Sequence, residues 1–236
     1  MSLPLFYEPN LIENQNDFTV SESTAKHCVQ VLRKLPGDKI ELTDGKGNAC
    51  IATLLQTDKK NTLVSTGSFQ SSPLPNNKLT LCISLLKNSQ RLEWLLEKVT
   101  ELGIFAIQPI VCNRTEHARF RIDRMEGILI SAMLQSRQFH LPQLYNPMPY
   151  FACLDSGVFD KQWIAHCAGG EKIPLSQNVL SGSCRIFIGP EGDFTEQEIK
   201  KSIEMNVIPV SLGNTRLRTE TAGIVATTLL LNQVTH

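Results

Sequence analysis

The hydrophobic pattern changes period repeatedly beyond residue 78. Residues 79–86, LTLCISLL, form a short, nearly continuous apolar run, the length of a buried strand. Residues 89–103, SQRLEWLLEKVTELG, then place Leu92, Leu95, Leu96, Val99 and Leu102 on one face of a helix, with Gly103 as its stop. AIQPIV, 106–111, reads as the next strand. A helix is expected from near Asp123, with Glu126 three residues on as a capping box and Ile128, Leu129, Ala132 and Met133 buried. Residues 163–168, 184–189 and 207–213 are three further strands, and helices follow the last two. Strands alternating with helices predict an α/β domain built on a mostly parallel sheet.

Before residue 68 the pattern differs. Short strand-like runs stand at 5–7, 18–20, 39–43 and 49–55, and DGKG at 44–47 is a hairpin signal between the last two. One helical piece, residues 23–35, stops before Pro36-Gly37. This half predicts a small β-barrel with one helix. Between the halves, SFQSSPLPNNK (68–78) crowds proline, serine and asparagine, the composition of a linker. The expected division is a barrel at 1–70, a linker at 71–78 and an α/β domain at 79–236.

Composition changes this picture little. The 236 residues are 42% hydrophobic and 19% charged, which is globular. Formal net charge is zero, so bulk charge does not mark a nucleic-acid binder. Residues 1–77 hold seven Lys and Arg against eight Asp and Glu, and residues 78–236 hold sixteen against fifteen. The densest basic stretch is NRTEHARFRIDR, 113–124, a mixed run of the kind that usually forms a solvated face. The seven cysteines are scattered, with neither C-x-x-C nor zinc spacing, and read as reduced, buried thiols of a cytosolic protein with no metal. No signal peptide and no membrane-length apolar run is expected.

Two strand ends carry the candidate chemistry. RIFIGPEGDFTEQEIKKSI (185–203) runs from a strand through Gly189, Pro190, Glu191 and Gly192 into a helix. Thr195 and Glu198 make a capping box there, with Phe194 and Ile199 at the staple positions. Ligands of α/β proteins bind at such strand ends. Neither phosphate-loop signature is present, and Glu191 would repel a phosphate, so the turn suits a neutral or cationic ligand or is a plain connection. VSLGNTRLRTETAGIVATTLLL (210–231) ends another strand at Gly213, passes Arg216 and Arg218, and starts a small-residue helix near Glu220 that Thr219 or Thr221 can cap. The two loops would lie side by side if their strands are neighbours. HCAGGE, 166–171, adds a third glycine-bearing strand end.

IGPEGDF followed by SLGNTRLRTETA resembles the signature of the RsmE family of SPOUT methyltransferases. HCVQVLR (27–33) with PGD (36–38) is similar to motifs of that family's PUA-like barrel, and EKVTELG (97–103) and QSR (135–137) resemble two more. The resemblance covers nearly the whole chain. It departs at Asp193, where the family commonly has glycine, and at Arg216, which stands one place later than the family's first loop arginine.

The resemblance implies an α/β fold of the SPOUT type, a mostly parallel sheet tied in a trefoil knot and preceded by a PUA-like β-barrel. It implies S-adenosylmethionine-dependent methylation of a uridine N3 in 16S ribosomal RNA of the 30S subunit, by a cytoplasmic homodimer. A cofactor site of His166, Ile188, Gly189, Glu191, Gly192, Leu212, Gly213, Leu217, Arg218, Thr221 and Ala222 follows. Arg33, Arg114 and Arg137 become candidates for RNA. Methylating N3 needs a base or donors that stabilise the uridine anion. Arg218 is the candidate donor, and Glu220 either takes the proton or orients Arg218. The competing readings are a SPOUT enzyme acting on a ribose 2′-hydroxyl and a non-catalytic RNA-binding assembly factor.

Overall fold

The computed structural model describes residues 3–13, 16–116 and 119–232. The chain forms two compact units: Met1–Leu74 with Met133–Leu141, and Pro75–Ala132 with Pro142–His236. None of the described helices is long and apolar enough to cross a membrane.

In the first unit, β1 (Leu5–Tyr7), β2 (Asp17–Thr19), β3 (Lys39–Thr43), β4 (Asn48–Gln56) and β5 (Leu63–Ser71) make one sheet in the order β1-β3-β4-β5-β2. Only the β1–β3 pair is parallel. Phe6, Phe18, Ile40, Leu42, Leu54 and Val64 fill its core beside Ala25 and Cys28. The β3–β4 turn falls on 44–47 as expected. Asp44 Oδ1 accepts from the N–H groups of Lys46 (2.7 Å) and Asn48 (3.0 Å), which fixes the turn.

Two features differ from the sequence reading. The expected helix over 23–35 is a five-residue α1 (Glu22–Lys26) continued by a π-helical turn, His27–Val31. Arg33 then takes a left-handed φ of 52°, which ends the helical path. Strand β5 was not expected, because polar residues dominate it and only Val64 is buried. The stretch expected as linker therefore begins inside this strand. Residues 133–141 are also stitched into this unit. Arg137, at φ 57°, donates to the Leu3 carbonyl (3.0 Å) and pairs with Glu41, and Gly47 N–H donates to the Phe139 carbonyl (2.9 Å).

The second unit holds β6 (Lys78–Ser84), α2 (Ser89–Glu101), β7 (Ala106–Val111), α3 (Ile122–Gln135, whose last turn counts with the first unit), β8 (Gln143–Leu144), β9 (Met148–Pro149) and α4 (Tyr150–Leu154). These are followed by β10 (Lys161–Ala165), β11 (Ile173–Pro174), β12 (Ser183–Ile188), α5 (Glu196–Glu204), β13 (Ile208–Ser211) and α6 (Thr219–Leu231). The sheet order is β11-β13-β10-β12-β6-β7-β8, with β9 also on β7. Every pair in this sheet is parallel. Helix α2 ends as expected: Leu102 is its C-cap, Gly103 follows at φ 85°, and the Ile104 N–H returns to the Val99 carbonyl at 3.1 Å. The small-residue face of α6 packs on α2 so closely that a Cβ at Gly223 would stand 2.9 Å from Leu95 Cδ1.

Arg185, in the middle of β12, is 2% exposed. Its guanidinium donates to the Cys153 (2.7 Å), Leu154 (2.8 Å) and Ser156 (2.9 Å) carbonyls and to Gln162 Oε1 (2.7 Å). It also stands over the Phe159 and Phe187 rings. Burial pulls its pKa below the usual arginine value. Two of these acceptors, the Cys153 and Leu154 carbonyls, belong to the last turn of α4, so the side chain reinforces a helix end that the Asp155 cap and the Ser156 hydroxyl also hold. Arg185→Met should remove four hydrogen bonds from a buried site and cost about 2–4 kcal/mol in urea unfolding; a loss below about 0.5 kcal/mol would show that the guanidinium is dispensable.

Candidate functional site

Parallel pairing sends the C-terminal ends of β10, β12 and β13 to the same edge of the sheet, and their loops enclose a cleft of about 530 Å³. Its wall includes Ala165, His166, Cys167 and Lys172 after β10; Ile188, Gly189, Pro190, Glu191 and Asp193 after β12; and Leu212 to Thr219 with Ala222 after β13. That volume is in the range of small-molecule sites. The two glycine-bearing loops would have lain side by side had their strands been neighbours. Instead, β10 stands between β12 and β13, so its end forms the floor of the site.

Each loop is held by identifiable bonds. Asp193 takes φ 63°, a conformation aspartate tolerates better than most residues, and accepts from Phe194 N–H and from Cys167 N–H, both at 2.8 Å. Where the resembled family commonly has glycine, this chain therefore has a clip between two cleft loops. Arg114 donates to the Gly192 (2.9 Å) and Phe194 (3.3 Å) carbonyls from the loop after β7. Glu198 completes the expected capping box with Thr195 and also accepts from Asn113 N–H at 2.8 Å.

Of the residues expected to hold a ligand, His166, Ile188, Gly189, Glu191, Leu212, Gly213, Leu217, Arg218 and Ala222 line the cleft, and Gly192, Glu220 and Thr221 do not. Gly192 is needed elsewhere: a Cβ there would meet Arg114 Cβ at 3.3 Å. Neither threonine caps α6; the N-cap is Arg218, and no side chain bonds there. Gly213, at φ 134°, gives the β13 loop its turn. Both ring nitrogens of His166 are buried without a hydrogen-bond partner among the described residues. Burial, then the Lys172 charge, lowers the pKa of His166, against smaller opposite pulls from Asp193 and the Ala168 backbone. Cys167 is exposed, unlike the other six cysteines and contrary to the expectation that all are buried.

Glu220 is 6% exposed and receives a two-pronged bond from Arg91. Burial pushes its pKa up, but the Arg91 bonds, its own backbone N–H and the charges of Arg91 and Arg218 outweigh this and leave it below the ordinary carboxylate value. No ion pair joins Arg218 to Glu220, and the exposed Arg218 side chain borders the cleft. Arg91 also reaches Glu191 Oε1 at 3.4 Å. Sequence reasoning passed over Arg91, yet it carries a signal. A cation in the first turn of α2 opposes the helix dipole, so something outside the helix must hold it there.

The candidate RNA residues separate. Arg114 is spent on the β12 loop and Arg137 on Glu41 and Leu3. Arg33 is exposed, with no hydrogen bond or ion pair among the described residues. In the 113–124 run Arg124 pairs with Glu93, Arg119 and Arg121 are exposed, and His117 lies outside the described residues. Among the described residues no group of three or more His, Cys, Asp or Glu is placed to hold a metal.

Residues 72–231 match the RNA methyltransferase domain family, and residues 20–65 match the RNA methyltransferase PUA domain. The chain is 32% identical over 219 residues to the ribosomal RNA small subunit methyltransferase E of Synechocystis sp., covering 88% of this chain and 71% of that protein. Against the protein of the same name from Bacillus subtilis the figures are 29%, 91% and 90%. Among solved structures, a probable rRNA-methyltransferase from Porphyromonas gingivalis superposes with a TM-score of 0.88 at 35% identity over 96% of both chains. A ribosomal RNA small subunit methyltransferase E from Neisseria gonorrhoeae, bound to S-adenosyl methionine, gives 0.85 at 29% identity, again over 96% of both.

Because the native pKa of Glu220 is depressed, its charge stabilises the fold above the ordinary carboxylate pKa, and that contribution is lost as pH falls through the native value. Thermal unfolding of wild type and Glu220→Gln should therefore differ most near neutrality. The gap should close as pH is lowered toward about 3. A gap that stays constant across that range would show that the ionised pair contributes nothing.

Proposed function

The chain belongs to the ribosomal RNA small subunit methyltransferase E family, and from that premise we propose that it methylates N3 of a uridine in 16S ribosomal RNA, using S-adenosylmethionine, on the small ribosomal subunit. It is an RNA methyltransferase. The observation that supports the cofactor part of this reading is the cleft where three strand ends meet. It has the volume for the cofactor, Gly189 and Gly213 on its wall, and the orphaned imidazole of His166, whose buried nitrogens a nucleoside would satisfy.

S-adenosylmethionine brings a methyl group already activated on a sulfonium, so the protein's task is alignment and charge. Glu191 and Asp193 line the cleft with Lys172, Arg216 and Arg218, which offers partners to both ends of an amino-acid moiety. Uridine N3 must lose its proton, and the negative charge then spreads to O2 and O4. Arg218, unpaired at the cleft, is assigned the donor to that charge. Glu220 is assigned to holding Arg91 and the start of α6, since a doubly bonded carboxylate of lowered pKa is a poor proton acceptor. Arg33 is the RNA candidate whose side chain has no hydrogen bond or ion pair among the described residues. The same reading includes the trefoil knot through these loops, the homodimer and the cytoplasmic location that the sequence resemblance implies.

Ala222→Leu places three more carbons into the cleft without backbone strain. It should weaken S-adenosylmethionine binding at least about tenfold in calorimetry with the melting temperature unchanged; wild-type affinity in this variant would move the site elsewhere. Arg218→Ala should lower turnover by about 10²-fold or more, with a smaller change in RNA affinity. Arg33→Ala should do the opposite, weakening RNA binding at unchanged cofactor affinity. Nucleoside mass spectrometry of small-subunit RNA treated with the enzyme decides the target atom: 3-methyluridine supports the reading, and a 2′-O-methyl product overturns it.

A further inference from the structure

Arg91 does not line the cleft, but it reaches a carboxylate that does, Glu191. The arginine is the third residue of α2, after the Asn88 cap. Its Nε donates to Glu220 Oε1 at 2.8 Å and one terminal nitrogen to Glu220 Oε2, while the other reaches Glu191 Oε1 at 3.4 Å. The two carboxylates differ in setting. The Glu220 side chain is 7% exposed and anchors the guanidinium, whereas the Glu191 side chain is 36% exposed and stands on the cleft wall. A planar fork can hold both at once, which a point charge on a lysine cannot do equally well.

We propose that Arg91 is a specificity-determining, positioning residue: anchored by Glu220, it partly neutralises Glu191 and so limits how tightly the cleft holds a cationic ligand relative to its neutral product. The proposal rests on the reading that the cleft takes S-adenosylmethionine. The physical reason is differential binding. Methyl transfer discharges the sulfonium, so a bare carboxylate in the cleft stabilises the starting cation more than the transition state or the neutral S-adenosylhomocysteine. An arginine that shares itself with that carboxylate reduces this ground-state grip. It also explains why a cation is kept in the unfavourable first turn of a helix.

The test is a double-mutant cycle read in calorimetry as the ratio of affinities for S-adenosylmethionine and S-adenosylhomocysteine. Arg91→Met should raise the preference for the cation about three- to tenfold, the effect of uncovering one charge near a partly exposed site. Glu191→Gln should lower the preference. In the Glu191→Gln background, Arg91→Met should leave the ratio unchanged, because the effect passes through Glu191. Arg91→Lys, which keeps the charge and loses the fork between the two carboxylates, should move the ratio part of the way toward that of Arg91→Met. A purely structural Arg91 would weaken both ligands equally, and a long-range charge effect would persist without Glu191; either result overturns the proposal. Should Arg91→Met fail to fold with Glu220 left unpaired, Arg91→Gln, which loses the charge but can still donate to Glu220, takes its place in the same cycle. If the wild-type protein binds neither nucleoside, the cofactor reading falls, which is a different failure from an unchanged ratio.

Discussion

The placement of β10 between β12 and β13, with every pair in that sheet parallel, is the constraint on which the site depends. A parallel pair cannot be closed by a tight hairpin, so each strand must leave the sheet edge through a longer connection. Three such connections leave the same edge here, and backbone N–H and C=O groups that the ladder no longer pairs are turned toward one space. The cleft is thus a consequence of strand order before any side chain is considered. Side chains then decide how well the loops keep their places.

That work falls to a few charged groups used at short range. Asp193 joins the β12 loop to the β10 end, and Arg114 holds the same loop from the β7 side. Glu198 ties the start of α5 to the segment after β7, and Arg91 ties α2 to the start of α6. Each bond links segments far apart in sequence, so each closes a large loop, yet the entropic cost of closure grows only slowly with length. Preorganisation is the return: donors and acceptors that must face a ligand are already fixed when it arrives.

Much of the fold was legible because the buried strands announce themselves. The runs at 5–7, 39–43 and 106–111 match β1, β3 and β7 residue for residue, and the Thr195–Glu198 capping box fixes the start of α5. What escaped was what local pattern does not encode. Strand β5 is polar along most of its length and is a strand because β4 and β2 pair with it on either side. The helical path of α1 and its π-helical continuation ends before residue 35 because the chain turns through Arg33 in a left-handed conformation that non-glycine residues seldom announce. At the site, the glycines and the lining of two strand ends were legible. The clip at Asp193 and the pair between Arg91 and Glu220 were not, since 26 and 129 residues separate their partners.

The arginines sort into two kinds, and the sorting bears on how a neutral chain can engage RNA. Arg185, Arg114 and Arg137 spend their donors on backbone carbonyls, and Arg91 and Arg124 on carboxylates, so they organise the protein itself. Arg33, Arg119, Arg121, Arg216 and Arg218 are exposed, with no side-chain hydrogen bond or ion pair among the described residues. A protein without a basic surface gains little from bulk counterion release, because that term scales with the number of phosphates neutralised. Its discrimination must then come from a few unspent guanidinium groups, whose planar donors suit phosphate and base carbonyls alike. Two of these five, Arg216 and Arg218, stand at the cleft, where planar donors and positive charge are supplied by the same groups.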